Sequence, residues 1–116
     1  MLLKFRDRED TEFVRVYWHD LNGLSVPGLL KEIRRIKGDF TAPYHMIITK
    51  DGTIHHIRNL EAVAGYELAD NEFGVHILVD SISRDLMTRV QRLSLEDVLN
   101  DINVKYPDIP EENYYE

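Results

Sequence analysis

The 116-residue chain has no cysteine, so it can build neither a disulfide framework nor a thiolate metal centre, and any metal must be held by His, Asp or Glu. Long apolar runs are missing too. Nothing approaches the roughly 20 residues that cross a bilayer, and charge enters within the first residues, too soon for a signal peptide. A cytoplasmic protein without membrane contact is therefore expected. Basic charge is also scarce: 14 Lys and Arg against 21 Asp and Glu give a net charge of -7, which opposes docking on phosphate backbones or anionic lipid. The one basic cluster, Arg34, Arg35 and Lys37, has Glu32 and Asp39 beside it and reads as a solvated helix face. No Asp-rich or Gly-rich segment offers a calcium loop or a phosphate cradle. At this length the chain is one domain with a single core.

What is present is a strong β pattern around residues 44–80. Residues 44–49 and 53–57 are rich in β-branched and aromatic side chains, and Lys50-Asp51-Gly52 between them supplies an Asp-Gly dipeptide for a tight hairpin turn with positive φ at its central residues. Residues 74–79 form an apolar run broken only by His76, the pattern of a strand covered on both faces.

Upstream, residues 13–19 alternate in part and carry strong strand formers, ending at His19. Ser25 and Pro27 then open a short amphipathic helix with Leu29, Leu30, Ile33 and Ile36 at helical spacing and Gly38 as its stop. Downstream, Thr88 and Gln91 have the spacing of a capping box. A second helix is expected from there to Pro107, with Val90, Leu93, Val98, Leu99 and Ile102 facing the core and Leu95 less well placed. Residues 107–116 are acidic and proline-punctuated and read as a flexible tail, with Tyr114 and Tyr115 as a possible docking point for a partner. The order strand, helix, hairpin, strand, helix argues for an α/β domain with helices packed on a central mixed sheet.

The same order, with Tyr44-His45, Lys50-Asp51-Gly52-Thr53, Gly74-Val75 and Thr88-Arg89-Val90-Gln91 in sequence, resembles the zinc-dependent N-acetylmuramoyl-L-alanine amidases. That family includes phage lysozyme-type endolysins and the peptidoglycan-recognition proteins. The resemblance runs from about Phe13 to the C-terminus and implies zinc chemistry with three protein ligands and an open fourth position. It assigns His19 as the first ligand, with Trp18 competing if the strand is shifted by one. Tyr44 becomes the phenol beside the zinc-bound water.

Departures from the family pattern are equally specific. The second and third ligands, expected after the last helix, are missing from residues 106–116. His76 stands where recycling-type members carry a catalytic Glu, and Tyr66 where many members place a loop His. Zinc is the cofactor the resemblance implies, yet a single remnant ligand is expected to hold none. His55 and His56, adjacent on a strand, point to opposite faces and cannot share one ion. A phage-derived, non-catalytic domain is expected, binding or inhibitory, with a peptidoglycan fragment or a protein as its partner. The alternative is an amidase whose remaining ligands lie outside this chain.

Overall fold

The fold is known from a computed structural model, which describes residues 11–37, 44–58, 60 and 73–115. Its centre is β4 (Gly74–Asp80), every residue of which is buried, as its uninterrupted apolar run requires. β1 (Phe13–His19) runs parallel to β4 on one side and β2 (Met46–Ile48) parallel to it on the other. β3 (Ile54–His56) closes the hairpin antiparallel to β2, and β5 (Glu111–Tyr115) runs parallel to β1. The result is a mixed five-stranded sheet in the order β3-β2-β4-β1-β5, with α1 (Val26–Lys37) and α2 (Arg89–Lys105) completing an α/β single domain. Gly74 is required where it sits, because a Cβ there would enter the ring of Phe13.

The two faces of the sheet differ in kind. Val14, Val16 and Trp18 of β1, Met46 and Ile48 of β2, and Val75, Ile77 and Val79 of β4 pack with Leu95, Val98 and Ile102 of α2. The opposite face holds a smaller cluster of Leu21, Val26, Ile47 and Leu78, joined by Leu29 and Leu30 of α1. Ser25 caps α1: its carbonyl accepts the first helical hydrogen bond from Leu29, and its hydroxyl accepts from the Gly28 amide at 3.1 Å. The expected stop at Gly38, and the side chains of residues 33–37, lie outside the described residues.

Three expectations are corrected by this geometry. In the hairpin only Gly52 has positive φ (82°), and Asp51 does not. The Gly52 amide donates to the Thr49 carbonyl and the Thr49 amide to the Thr53 carbonyl, the three-residue loop that a left-handed glycine completes. In α2, Leu95 is buried at 1% exposure, whereas Val90 (46%) and Leu93 (52%) face outward. The inward stripe is Gln91, Leu95, Val98 and Ile102, so a glutamine takes the first seat and shifts the apolar phase by one residue.

That glutamine is well used. Its amide and side chain complete the capping box with Thr88, and its Nε2 donates to the Asp80 carbonyl at 2.9 Å. Thr88 Oγ1 also donates to the Lys50 carbonyl at 2.7 Å, tying α2 to the hairpin.

The third correction concerns the acidic segment read as a tail, which forms β5. Its carboxylates meet arginines, Glu112 with Arg15 and Glu111 with Arg84, each at 2.9 Å. Asn113 Oδ1 accepts from Trp18 Nε1 at 2.9 Å. Once those charges are paired, composition no longer favours disorder.

Candidate functional site

Alternation along β1 puts Phe13, Arg15, Tyr17 and His19 on the α1 face, and the register aligns Arg15 with His76 and His19 with Asp80. Here the sheet gives up aliphatic packing for titratable and aromatic groups. His76 is fully buried, and its Nδ1 lies 2.8 Å from the Tyr17 hydroxyl. The His76 backbone amide donates to Nδ1 of His45 at 3.0 Å, and His45 is itself fully buried. Accepting that bond requires a bare Nδ1, so His45 is the neutral tautomer with its proton on Nε2. The two imidazoles stack, with centroids 6.0 Å apart and planes within 4°.

Tyr44 and Tyr17 meet edge to face at 5.3 Å, and Tyr17 meets Tyr114 of β5 at 5.7 Å. A row of three tyrosines thus crosses the face, with the Arg15–Glu112 ion pair beside it. Burial pushes the Tyr17 phenol above its usual range, with the Arg15 guanidinium pulling the other way. Tyr17 therefore stays a neutral phenol.

A second feature is a cleft of about 660 Å³ at the carboxyl ends of β1, β2 and β4, lined in part by Asp20, Ser25, Thr49, Lys50, His55 and Asp80. Lys50 Nζ bridges Asp80 Oδ1 at 2.7 Å and Asp20 Oδ1 at 2.9 Å. Burial opposes the Lys50 charge, but the hydrogen bonds to Asp80 and Asp20 outweigh it and hold its pKa above the ordinary value. The same bond from Lys50 is the main cause of a lowered Asp20 pKa. Asp80 Oδ1 also accepts from the Leu21 amide at 2.8 Å, so this triad locks three strand ends together.

Of the residues expected to form the site, Tyr44 and His76 both contact Tyr17 and so belong to one cluster. His19 lies at the exposed end of β1, two residues beyond Tyr17 on the same face. Trp18 points the other way and is fully buried in the α2 core. His55 lines the cleft while its neighbour His56 is exposed. Tyr66 lies outside the described residues. Sequence reasoning missed Tyr17 and His45. Alternation puts Tyr17 on the same side as His19 but does not show that it meets His76 and Tyr44; His45 had no comparable signal, because its partner is a backbone amide 31 positions away.

The donors described in this cluster do not by themselves make up a three-ligand zinc set. Nδ1 of both buried imidazoles is engaged within the protein, so only Nε2 of either ring is left for a metal, and among the described residues no three His, Asp or Glu side chains converge on one point.

No family model matches the sequence, and no curated protein matches it. Solved structures do. The N-acetylmuramoyl-L-alanine amidase endolysin LysCS from Clostridium intestinale superposes with a TM-score of 0.76 at 22% identity, over 97% of this chain and 77% of that one. An endolysin from the Thermus scotoductus bacteriophage Ph2119 gives 0.79 at 13% identity, over 94% of this chain and 75% of that one. PGRP-Hd from Alvinella pompejana gives 0.74 at 11% identity, over 97% and 78% respectively. The fold is that of the amidases and PGRPs. At these identities the likeness is one of fold, and the site must be argued from its own residues.

Proposed function

We propose that this amidase-like domain binds a muramoyl-peptide fragment of peptidoglycan and does not cleave it. The observation that carries the reading is the occupant of β1 opposite Tyr44. It is Tyr17, a neutral phenol already bonded to His76, and the facing imidazoles bond within the protein. Amide hydrolysis at neutral pH needs an activated water, by metal or by general base. With Nδ1 of each imidazole bonded within the protein, and no group of three His, Asp or Glu side chains placed to hold a metal among the described residues, the cluster offers no such activation. What it does supply is a rigid aromatic row flanked by an ion pair, suited to holding a ligand with one apolar and one polar side.

Zinc belongs to this proposal only as an absence: the domain is expected to carry no stoichiometric zinc. A cytoplasmic setting makes the ligand a soluble fragment, not the intact wall, and the endolysins among the structural neighbours fit a phage-derived origin. Among the described residues no helix is long and apolar enough to cross a membrane.

The second reading is an amidase completed by ligands outside this chain. It is favoured by coverage, since the chain spans only 75% to 78% of the three neighbours described above. Elemental analysis of protein purified without chelator, with assay of L-alanine-peptide release from peptidoglycan, separates the two when it is run both on this chain and on this chain together with any adjoining sequence or partner that could supply the remaining ligands. Binding without cleavage predicts sub-stoichiometric zinc and no release at any zinc concentration. Zinc-dependent release that disappears in His19→Ala establishes the amidase instead.

A further inference from the structure

We infer that β5 is the docking edge for a second copy of this chain, the two β5 strands pairing antiparallel about Asn113 and extending the sheet from five strands to ten. Among the described residues β5 closes the sheet and nothing pairs with its outer side. Natural sheets protect such an edge with lysine, proline, a bulge or very short strands. Residues 111–115 contain neither Lys nor Pro, and their pairing with β1 runs unbroken through five positions. The charges that could repel a partner strand are already paired, Glu111 with Arg84 and Glu112 with Arg15. Tyr114 and Tyr115 remain more than half exposed, one on each face.

The backbone limits the register. The Val14 amide donates to the Pro110 carbonyl at 3.0 Å, so residue 110 aims its carbonyl inward at β1. Alternation along a parallel ladder then turns the amides and carbonyls of Glu111, Asn113 and Tyr115 outward. A two-fold axis at Asn113 pairs these outward groups with one another: 113 with 113, and 111 with 115 of the second copy.

Side chains agree with that register. Tyr115 falls opposite Glu111, and Tyr114 opposite Glu112, so no carboxylate meets another. Centring on Glu111 or on Glu112 instead would set that carboxylate against its own copy. The self-complementary strand is thus matched in both hydrogen bonds and charge.

Two terms make the dimer weak. Five paired residues a side bury less than the roughly 1,200 Å² of a stable interface. Each copy also carries a net charge of -7, and that repulsion reaches about 30 Å at 0.01 M salt but only about 8 Å at 0.15 M. Association should therefore strengthen as salt rises, the reverse of a contact held by opposite charges.

Sedimentation equilibrium of the full chain, up to about 1 mM at low and high NaCl, tests this. The expected result is a monomer–dimer equilibrium favoured by salt. Tyr114→Glu, which sets a carboxylate against Glu112 twice per dimer, should weaken it by at least about fivefold, while Tyr114→Arg preserves or tightens it. The pair Tyr115→Glu and Tyr115→Arg, opposite Glu111, gives the same reading should the first pair disturb folding. A chain that stays monomeric throughout overturns the inference and leaves the edge to some other extended polypeptide. So does a dimer that salt weakens, or one that responds alike to the two charges.

Discussion

The α2 face of the sheet is almost wholly aliphatic, whereas the α1 face carries Arg15, Tyr17, His19, His45, His76 and Asp80 on the same strands or at their ends. One set of strands therefore serves two purposes by alternation alone. Odd-numbered residues of β1 and His76 and Asp80 of β4 carry the polar and aromatic groups, and the alternate residues build the α2-face core. A hydrophobic face contributes stability in proportion to the apolar area it covers. A polar, hydrogen-bonded face contributes little net stability but fixes the positions of groups that can meet a ligand. Substitutions on the α2 face should therefore act on stability, and those on the α1 face on binding.

The largest expected effect breaks the comparison on its apolar side. Ile77→Ala removes a fully buried side chain from the α2 core and should lower unfolding free energy by about 2–5 kcal/mol, read by urea denaturation. A loss below about 1 kcal/mol would show that this face is not the principal core. Next is the hairpin that joins the sheet to α2. A Cβ at Gly52 would lie 2.8 Å from Val90 Cβ at a φ of 82°, so Gly52→Val should cost about 1–3 kcal/mol. An unchanged melting midpoint refutes the turn geometry.

Thr88→Ala removes the cap of α2 together with the bond to the Lys50 carbonyl, and should cost about 1 kcal/mol without altering ligand affinity. On the polar side, a histidine free in water is half charged near roughly pH 6.5. His76, fully buried against Tyr17, should keep its neutral-form ring resonances through that range by NMR. A normal titration would place it in solvent and dismantle the α1-face cluster.

The smallest effect is at the turn. Hydrogen bonds from Thr49 and Thr53 lower the Asp51 pKa from its ordinary 3.8 to about 2. Because the folded value is depressed, the contribution is present above about pH 4 and is lost as pH falls toward 2. Asp51→Asn should lose that small contribution at neutral pH, approach the wild type at low pH, and so flatten the acid limb of the pH profile.

Strands and capping signals were largely legible in the sequence. Residues 13–19 match β1 from end to end, and the Thr88–Gln91 spacing marks the start of α2. These features rest on local pattern, which a sequence displays directly. Leu95 and Gln91 were misjudged because a polar side chain can be buried when it finds backbone carbonyls, here of Asp80 and Ile48, that are distant in sequence. β5 was missed for a related reason: acidic composition argues for disorder only until Arg15 and Arg84 arrive. Of the α1-face cluster, Tyr44 and His76 were singled out separately, and the structure shows that both contact Tyr17. Their common partner Tyr17 required knowing that β1 and β4 are adjacent and parallel, which register alone reveals.

The central claim is that the α1-face cluster holds a muramoyl peptide without hydrolysing it. It is tested most directly by one NMR titration of the protein with a soluble muramoyl-L-alanyl peptide, zinc present, following the His45 and His76 ring protons and the ligand's own resonances together. The account predicts saturable shifts of both rings while the ligand stays intact over many hours. Appearance of the free L-alanyl peptide, or binding that leaves both rings unmoved, would contradict it.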